Sequence, residues 1–450
     1  MAKQKYILNF VGNYIIYMRK LILTLTLIFS TFIKSYSADI TDYIKGDYSS
    51  KADSLEYCFI ENFMNKNKGT FWSTPNDIAQ SSWNIYWQQA HAMDIIVYAY
   101  ERLKDTNPEK ALTYKNYIHI WYTNHANNYY GATFENPFTD DMAWICLTLL
   151  HIGEALEATM YTNMAKTVYD KYIITRAITD ANGFHLPWNT DKNPDGSYKN
   201  PVGGSCTDGP SCLVAAKLYE KFGDEKYLND AKALYQYTIN NTCYTDGRVG
   251  EPPLTYTNGT FGEACRHLYH ITKENEYKQK AALFIYFPFT STRCTTNGIL
   301  RNEGENMDNS IFKAVLMPYA CNFVLDEDMS LFYRQRVLQL MQKNADTLWS
   351  LLALDKYPNI YCPFYWGEPY NYSSTVPASM GAMASGASLY ENVTRMHSSL
   401  LKAKEMTGIN VIHSNDIVSN NQDIYNITGQ KVANSYKGIV ISNKKKAVKQ

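Results

Sequence analysis

Neither sign of charge is in surplus in this sequence: 43 lysines and arginines meet 43 aspartates and glutamates, and the formal net charge is zero. Without a basic excess there is no electrostatic basis for a nucleic-acid or anionic-membrane partner, and neither is expected. Cysteine is sparse and unpatterned. The nine cysteines show no Cys-x-x-Cys pair and no zinc-type spacing, and no other ligand cluster is evident, so neither a metal nor an organic cofactor is expected. Cys206 and Cys212 are near enough in sequence to bridge a loop in an oxidising compartment. Cys146, Cys265 and Cys321 sit in apolar helical contexts and read as buried thiols. Apolar runs of membrane-spanning length are also missing. The run Leu21 to Ile33, about 13 residues long, is too short to span and follows Met18-Arg-Lys20. Small residues at Ser35 and Ser37 suit cleavage before Ala38, so residues 1–37 read as an upstream extension and export signal. An exported protein with no membrane span after cleavage is expected.

What the chain has in abundance is tyrosine, 38 residues beside 8 Trp and 18 Phe. Aromatic faces with polar tips suit sugar-binding grooves, although most of these rings are expected simply to fill helix contacts. The 450 residues accommodate one large single-core domain with appendages, or two ordinary domains.

From Leu55 to Leu401 helical periodicity dominates, broken by loops rich in Gly, Pro, Asn and Asp. One sub-motif recurs. Leu218 to Tyr227 leads into Ala231, Leu268 to Tyr277 leads into Ala281, and a weaker copy places Tyr161 four before Ala165. Each reads as a helix end, a tight turn and the next helix start. A hairpin of two helices cannot bury its own apolar face, so repeated hairpins imply a stack or a closed ring. At roughly 60 residues per hairpin, the body of 38–410 holds about six units, a toroid of paired helices; an open solenoid is the alternative. Long polar-aromatic segments at 182–211, 244–260, 294–309 and 357–374 read as functional loops that gather on one face. Residues 411–450 change character to short alternating runs and a lysine-rich end, a small separate β unit.

The most informative local feature is the adjacent pair Asp140-Asp141 in the segment Asn136 to Trp144. Neighbouring carboxylates in one cleft push each other toward different pKa values, one acid and one base. Glycoside cleavage needs that division, and adjacent Cα atoms about 3.8 Å apart can hold carboxyls the ~5 Å apart that retention of configuration requires. Locally, Thr139-Asp140-Asp141 also reads as a helix start with capping groups. Three further segments carry candidate contacts. In Ser82 to Asp94, Trp87, His91 and Asp94 fall at helical spacing, with His91 as readily a core or supporting imidazole. Trp188 sits on a loop as a candidate stacking platform. Arg301, Glu303 and Asp308 cluster before a helix and suit sugar hydroxyls, or an exposed loop and a helix cap.

Taken together, these pieces resemble glycoside hydrolase family 76, the bacterial α-1,6-mannanases and their fungal cell-wall relatives. The matching segments are Trp87 to His91 with Asp94, Asp140 to Trp144, Gly209 to Tyr219, Asn258 to Ala264 and Gly298 to Lys313, in the family's order across roughly residues 55–400. The loop Val202 to Asp208 departs from the Asn- and Ser-rich form associated with the family. The resemblance implies an all-α (α/α)6 barrel of helical hairpins and a retaining endo-acting α-1,6-mannanase. Asp140 would be the nucleophile and Asp141 the general acid/base. Trp87, His91, Asp94, Trp144, Trp188, Asn258, Arg301, Glu303 and Asp308 would contact substrate. The expected partner is an α-mannan chain, and the expected state a monomer. A transglycosylase or unsaturated-uronide hydrolase on the same scaffold, or a catalytically silent glycan-binding protein, are the alternatives. The tail from Ile424 to Ile441 resembles the C-terminal sorting domains of Bacteroidetes secretion.

Overall fold

In a computed structural model of the chain, the described residues are 39–77, 86–127, 132–407 and five strand segments of the tail. The export-signal reading falls outside them. The chain divides into two compact units, 1–43 and 44–450. In the first, the described part is a single 3-10 turn, Ile40–Tyr43.

The second unit is built from twelve helices of ten or more residues, counted among the described residues. They are α1 (Ser49–Phe63), α2 (Tyr86–Leu103), α3 (Pro108–Asn127), α4 (Thr139–Ala155), α5 (Thr159–Val168) and α6 (Ser205–Phe222). Then follow α7 (Glu225–Asn241), α8 (Thr255–Thr272), α9 (Asn275–Thr290), α10 (Phe312–Leu325), α11 (Leu331–Leu351) and α12 (Met380–Thr407). The even-numbered helices pack side by side in the order α2, α4, α6, α8, α10, α12 and back to α2. That closed circuit is the inner ring of an (α/α)6 barrel. The odd-numbered helices form the outer layer, and α1 completes it by packing on α12, so the first and last helices close the ring. An open solenoid is thereby excluded.

The recurrent sub-motif marks the hairpin turns, as expected. α6 ends at Gly223 and α8 at Lys273, both left-handed (φ +69° and +61°), and their N–H groups donate 2.7 Å bonds to the carbonyls of Tyr219 and Tyr269. Tyr227 and Ala231 of one copy, and Tyr277 and Ala281 of the other, are buried against the preceding helix. Hairpin helices approach closely: a Cβ on Gly262 of α8 would lie 2.8 Å from Ile285 of α9. The helix α10 is apolar nearly all round and correspondingly buried.

Two expected loops run too long. Residues 205–211 and 255–260 already belong to α6 and α8, because Pro210 sits early in its helix and Gly259 and Gly262 serve helix packing rather than turns. The Cys206–Cys212 bridge is also excluded. Both lie on α6 six residues apart, which separates their Cα atoms by about 9 Å, beyond disulfide reach. Cys206 Sγ instead faces the carbonyl of Gly203 and Cys212 Sγ that of Ala231. Cys146, Cys265 and Cys321 are buried as expected.

Short two-stranded ribbons punctuate the loops: β1 (Met64–Asn65) with β2 (Thr70–Phe71), β3 (Ile178–Asp180) with β4 (Gly183–His185), and β5 (Thr295–Thr296) with β6 (Ile299–Leu300). The tail backbone forms a five-stranded sheet. Its strands are β7 (Asn410–Val411), β8 (Ile424–Asn426), β9 (Lys431–Val432), β10 (Gly438–Ser442) and β11 (Lys445–Lys449), ordered β7-β11-β10-β8-β9. Only the β7–β11 pairing is parallel.

Candidate active site

Because the inner helices share one direction, their amino ends meet on one face. The first turns of α2, α4, α6, α8 and α10 all contribute to one cavity of about 450 Å³. Its lining includes Asp140 and Asp141 from α4, Trp87 and Gln88 from α2, Trp188 from the loop after β4, and Asp308 from the short turn Met307–Ser310. Five helix amino ends turned toward one cavity favour negative charge there.

The floor is aromatic. Trp87, Trp144, Tyr256 and Phe312 form a closed circuit of rings: Trp87–Trp144 at 6.1 Å, Trp144–Tyr256 at 5.9 Å, Tyr256–Phe312 stacked at 4.1 Å and Phe312–Trp87 at 6.1 Å. Trp144 lies one helical turn beyond Asp141 on α4, while Trp87, Tyr256 and Phe312 stand in the first turns of their own helices. Such a surface suits the apolar face of a pyranose ring and keeps water out of the barrel axis.

The segment carrying the two aspartates is held from behind. Buried Arg176 donates to the carbonyls of Asn136 (2.9 Å) and Pro137 (3.0 Å) and to the hydroxyl of Thr139 (3.2 Å). The Thr139 N–H donates to the Trp188 carbonyl at 2.8 Å, tying α4 to the tryptophan loop. Capping is not what the aspartates do. The residue before the helix is Phe138, without a side-chain cap, and Asn136 accepts the Phe138 N–H instead. The carboxylates, on the second and third residues of the helix, line the cavity.

Asp140 Oδ2 accepts the Trp188 indole N–H at 3.2 Å, while its Oδ1 is buried with no protein partner. Asp308 Oδ1 accepts from Trp87 Nε1 (3.0 Å) and Gln88 Nε2 (2.6 Å), which fixes a third carboxylate at the same cavity. Asp140 and Asp141 line the cavity and are partly buried in its wall, so low-dielectric protein dominates their surroundings. Burial pushes Asp141 well above the usual carboxylate range, and the charges of Asp140 and then Asp308 push it further. Asp140 is raised too, chiefly by burial, against the opposing pull of the Trp188 N–H and the first-turn backbone N–H groups. The hydrogen bond from Trp188 favours the ionised form of Asp140.

Of the residues expected from the sequence, Asp140, Asp141, Trp87, Trp144, Trp188 and Asp308 meet in this cavity. Five do not line it. His91 lies behind the wall, 5% exposed, edge-on to Trp87 (5.5 Å) and Trp144 (5.1 Å), and burial lowers it to about 4. Asp94, two turns down α2 from Trp87, accepts the Thr148 hydroxyl (2.9 Å) and pairs with His151 (2.9 Å). Burial alone would lower His151, but bonds to Asp94 and Glu101 raise it to about 9. Asn258 is fully buried and spends its amide on Gly247 O, Phe284 O and Val249 N–H, pinning the preceding loop. Arg301 folds back on Thr296 and the Thr292 carbonyl around the β5–β6 turn. Glu303 accepts both the N–H (2.7 Å) and the hydroxyl (2.6 Å) of Thr255, and so anchors the start of α8 beside Tyr256. Asp94, Asn258, Arg301 and Glu303 are each engaged by protein groups, and His91 Nε2 is buried without a hydrogen-bond partner.

The sequence reading missed Tyr256, Phe312, Gln88, Phe138, Cys206 and the clamp Arg176. Among the described residues, His270, Asp326 and Asp328 group closely enough to hold a cation, near the carboxyl end of α8 and away from the cavity. Arg266 already supplies positive charge there, 3.0 Å from Asp326.

Comparison with known proteins agrees with this geometry. The model of glycosyl hydrolase family 76 matches residues 47–399. No curated protein matches the sequence. Among solved structures, an inactive variant of the Salegentibacter sp. α-1,6-mannanase, with two consecutive aspartates replaced, is bound to α-1,6-mannotriose. It superposes with a TM-score of 0.65 at 22% identity, covering 78% of this chain and 100% of that one. A family 76 mannosidase from Bacteroides thetaiotaomicron gives 0.62 at 15% identity, over 80% and 99% of the two chains. The Dfg5 protein of Chaetomium thermophilum, in complex with glucosamine, gives 0.60 at 12%, over 77% and 89%. The family match ends before the tail, whose likeness to a sorting domain rests on its sequence alone. A match across most of the chain, on a closed six-hairpin barrel with paired aspartates at its mouth, places this protein in glycosyl hydrolase family 76, as a glycoside hydrolase.

Proposed function

We propose that the protein is a retaining endo-α-1,6-mannanase that cuts the backbone of fungal-type mannan. The observation that carries this reading is the placement of Asp140 and Asp141, adjacent in sequence, on the wall of one aromatic-floored cavity. The inactive Salegentibacter variants support it, since consecutive aspartates were replaced there and α-1,6-mannotriose or α-1,6-mannotetrose was bound.

In this mechanism a mannose ring lies over the floor of Trp87, Trp144, Tyr256 and Phe312. Asp140, ionised and steadied by Trp188, attacks the anomeric carbon as protonated Asp141 gives its proton to the leaving oxygen. The products are a glycosyl ester on Asp140 and a shortened chain carrying the new hydroxyl. Asp141, now ionised, takes a proton from water, which attacks the same carbon and releases Asp140. Two inversions leave the α configuration unchanged. Asp308 contributes negative charge that keeps Asp141 protonated and favours the oxocarbenium-like transition state. The start of the sequence supports export, which would place the enzyme where it meets such a polymer.

The test is digestion of linear α-1,6-mannan, with chromatography of the products and proton NMR of the first-formed anomer. Internal fragments of several lengths with α anomers are expected. Release of single mannose units alone would overturn endo action, a β anomer would overturn retention, and an untouched polymer would overturn the substrate.

A further inference from the structure

Cys206 belongs to three cavities at once. Beyond the central one, a second of about 400 Å³ lies between the loop before α6 and the loop before α8, lined by Ser205, Asn241, Thr242, Tyr244, Glu251 and Thr257 among others. A third, of about 480 Å³, lies under Trp188 and is bounded by Lys199, Asn200, Pro201 and Val202. Cys206 lines all three; Tyr256 is shared by the first and second, Trp188 by the first and third. The two arms part at the ridge Gly203-Gly204, where the chain is held low. A Cβ on Gly203 would lie 2.4 Å from Thr207 and 2.8 Å from the Leu186 carbonyl, and Gly204 has φ +65°.

We infer that this fork takes a branched chain, with the backbone running over Trp188 and a side sugar in the arm beside Ser205 and Asn241. The inference rests on the mannanase reading. Trp188 marks the backbone path because its indole, 41% exposed, also bonds Asp140, so a ring on it neighbours the reacting sugar. The other arm is about as large as the central cavity, and Ser205, Asn241 and Tyr244 bring hydroxyl and amide groups to it beside apolar Val249 and Leu254, the mixed lining a sugar ring needs; its Glu251 is paired with Arg248 and Arg293. Cys206, at the crotch, presents an uncharged thiol, since burial and the nearby charge of Asp140 push it up to about 12. It therefore separates the paths without adding charge.

The experiment compares linear α-1,6-mannan with the same backbone bearing single side mannoses, using wild type, Asn241→Trp and Val202→Trp. Asn241 is an exposed residue at the end of α7, and Val202 is 56% exposed, so both variants are expected to fold. The wild type should cut both polymers with kcat/KM values within about 3-fold, and Asn241→Trp should lose at least ~10-fold on the branched polymer only, by steric exclusion. Val202→Trp should impair both polymers alike. Cleavage of the linear chain alone by wild type, or equal losses on both polymers in Asn241→Trp, overturns the fork while leaving the mannanase reading intact. Failure of wild type on both polymers overturns the mannanase reading, and the fork with it.

Discussion

The indole nitrogen of Trp188 stands 3.2 Å from Asp140 Oδ2, so a residue on a loop after β4 sets the charge of a residue on α4. A hydrogen bond donated to a carboxylate favours its ionised form. Trp188→Phe keeps the ring and removes the donor. We expect kcat/KM to fall roughly 10- to 100-fold, the range for a bond to a charged group. The acidic limb of the pH–rate profile should also move to higher pH, because Asp140 loses a group that lowers its pKa. A fall without that shift would make Trp188 a stacking surface alone.

Asp140→Asn and Asp141→Asn should each lower kcat by on the order of 10³-fold or more while retaining affinity for mannan oligosaccharides. Stability should move the other way. Burial raises Asp141 in the folded state above its ordinary 3.8, so the folded protein binds the proton more tightly than the unfolded chain does. That contribution is complete below about pH 3.8 and is lost as pH rises through the folded-state value. Asp141→Asn escapes the loss and should melt higher than wild type at pH 7. The difference should close on acidification, as followed by calorimetry.

Asp308→Asn removes a charge that raises both reacting carboxyls. Both pKa values should fall, carrying the whole bell-shaped profile of kcat/KM toward lower pH. The amide oxygen of the asparagine can still accept from Trp87 and Gln88, so the binding surface should persist. An unmoved profile would separate Asp308 electrostatically from the pair.

Asn258→Ala distinguishes a structural residue from a sugar contact. Its three bonds hold Gly247, Val249 and Phe284 together inside the barrel wall. The variant should lose about 2–3 kcal/mol of stability in urea titration, with KM for mannan little changed in the folded fraction. A raised KM at unchanged stability would return Asn258 to the substrate.

The paired aspartates at the cavity were legible because the two are neighbours in the chain and need no long-range contact to be seen. The six-hairpin count was legible for a similar reason: the turn copies ending at Gly223 and Lys273 are local, and each buries its Tyr and Ala against the preceding helix. Tyr256 and Phe312 were not, since each follows an ordinary helix start and only ring closure brings them within 4.1 Å. A usable signal existed. All inner helices begin on one face, so aromatic residues in their first turns belong together. Arg301, Glu303 and Asn258 lie outside the cavity lining and engage neighbouring protein groups, a use that sequence does not distinguish from a ligand contact. Arg176, one arginine after an irregular helical stretch, carried no local mark of the three acceptors it clamps.

Asn62 at the end of α1 donates to the carbonyl of Pro358 across 296 residues, and α1 packs chiefly on α12, while its Asp53 and Glu56 pair with Arg102 of α2 and Lys110 of α3. The earliest helix of the barrel therefore meets its main packing partner only when the latest one has been made. Such wide sequence separation slows folding, and an incomplete chain leaves the face of α1 that meets α12 uncovered until the last helix is made. The cavity wall draws on residues from Tyr86 to Phe312, so it too is complete only after most of the barrel has been made.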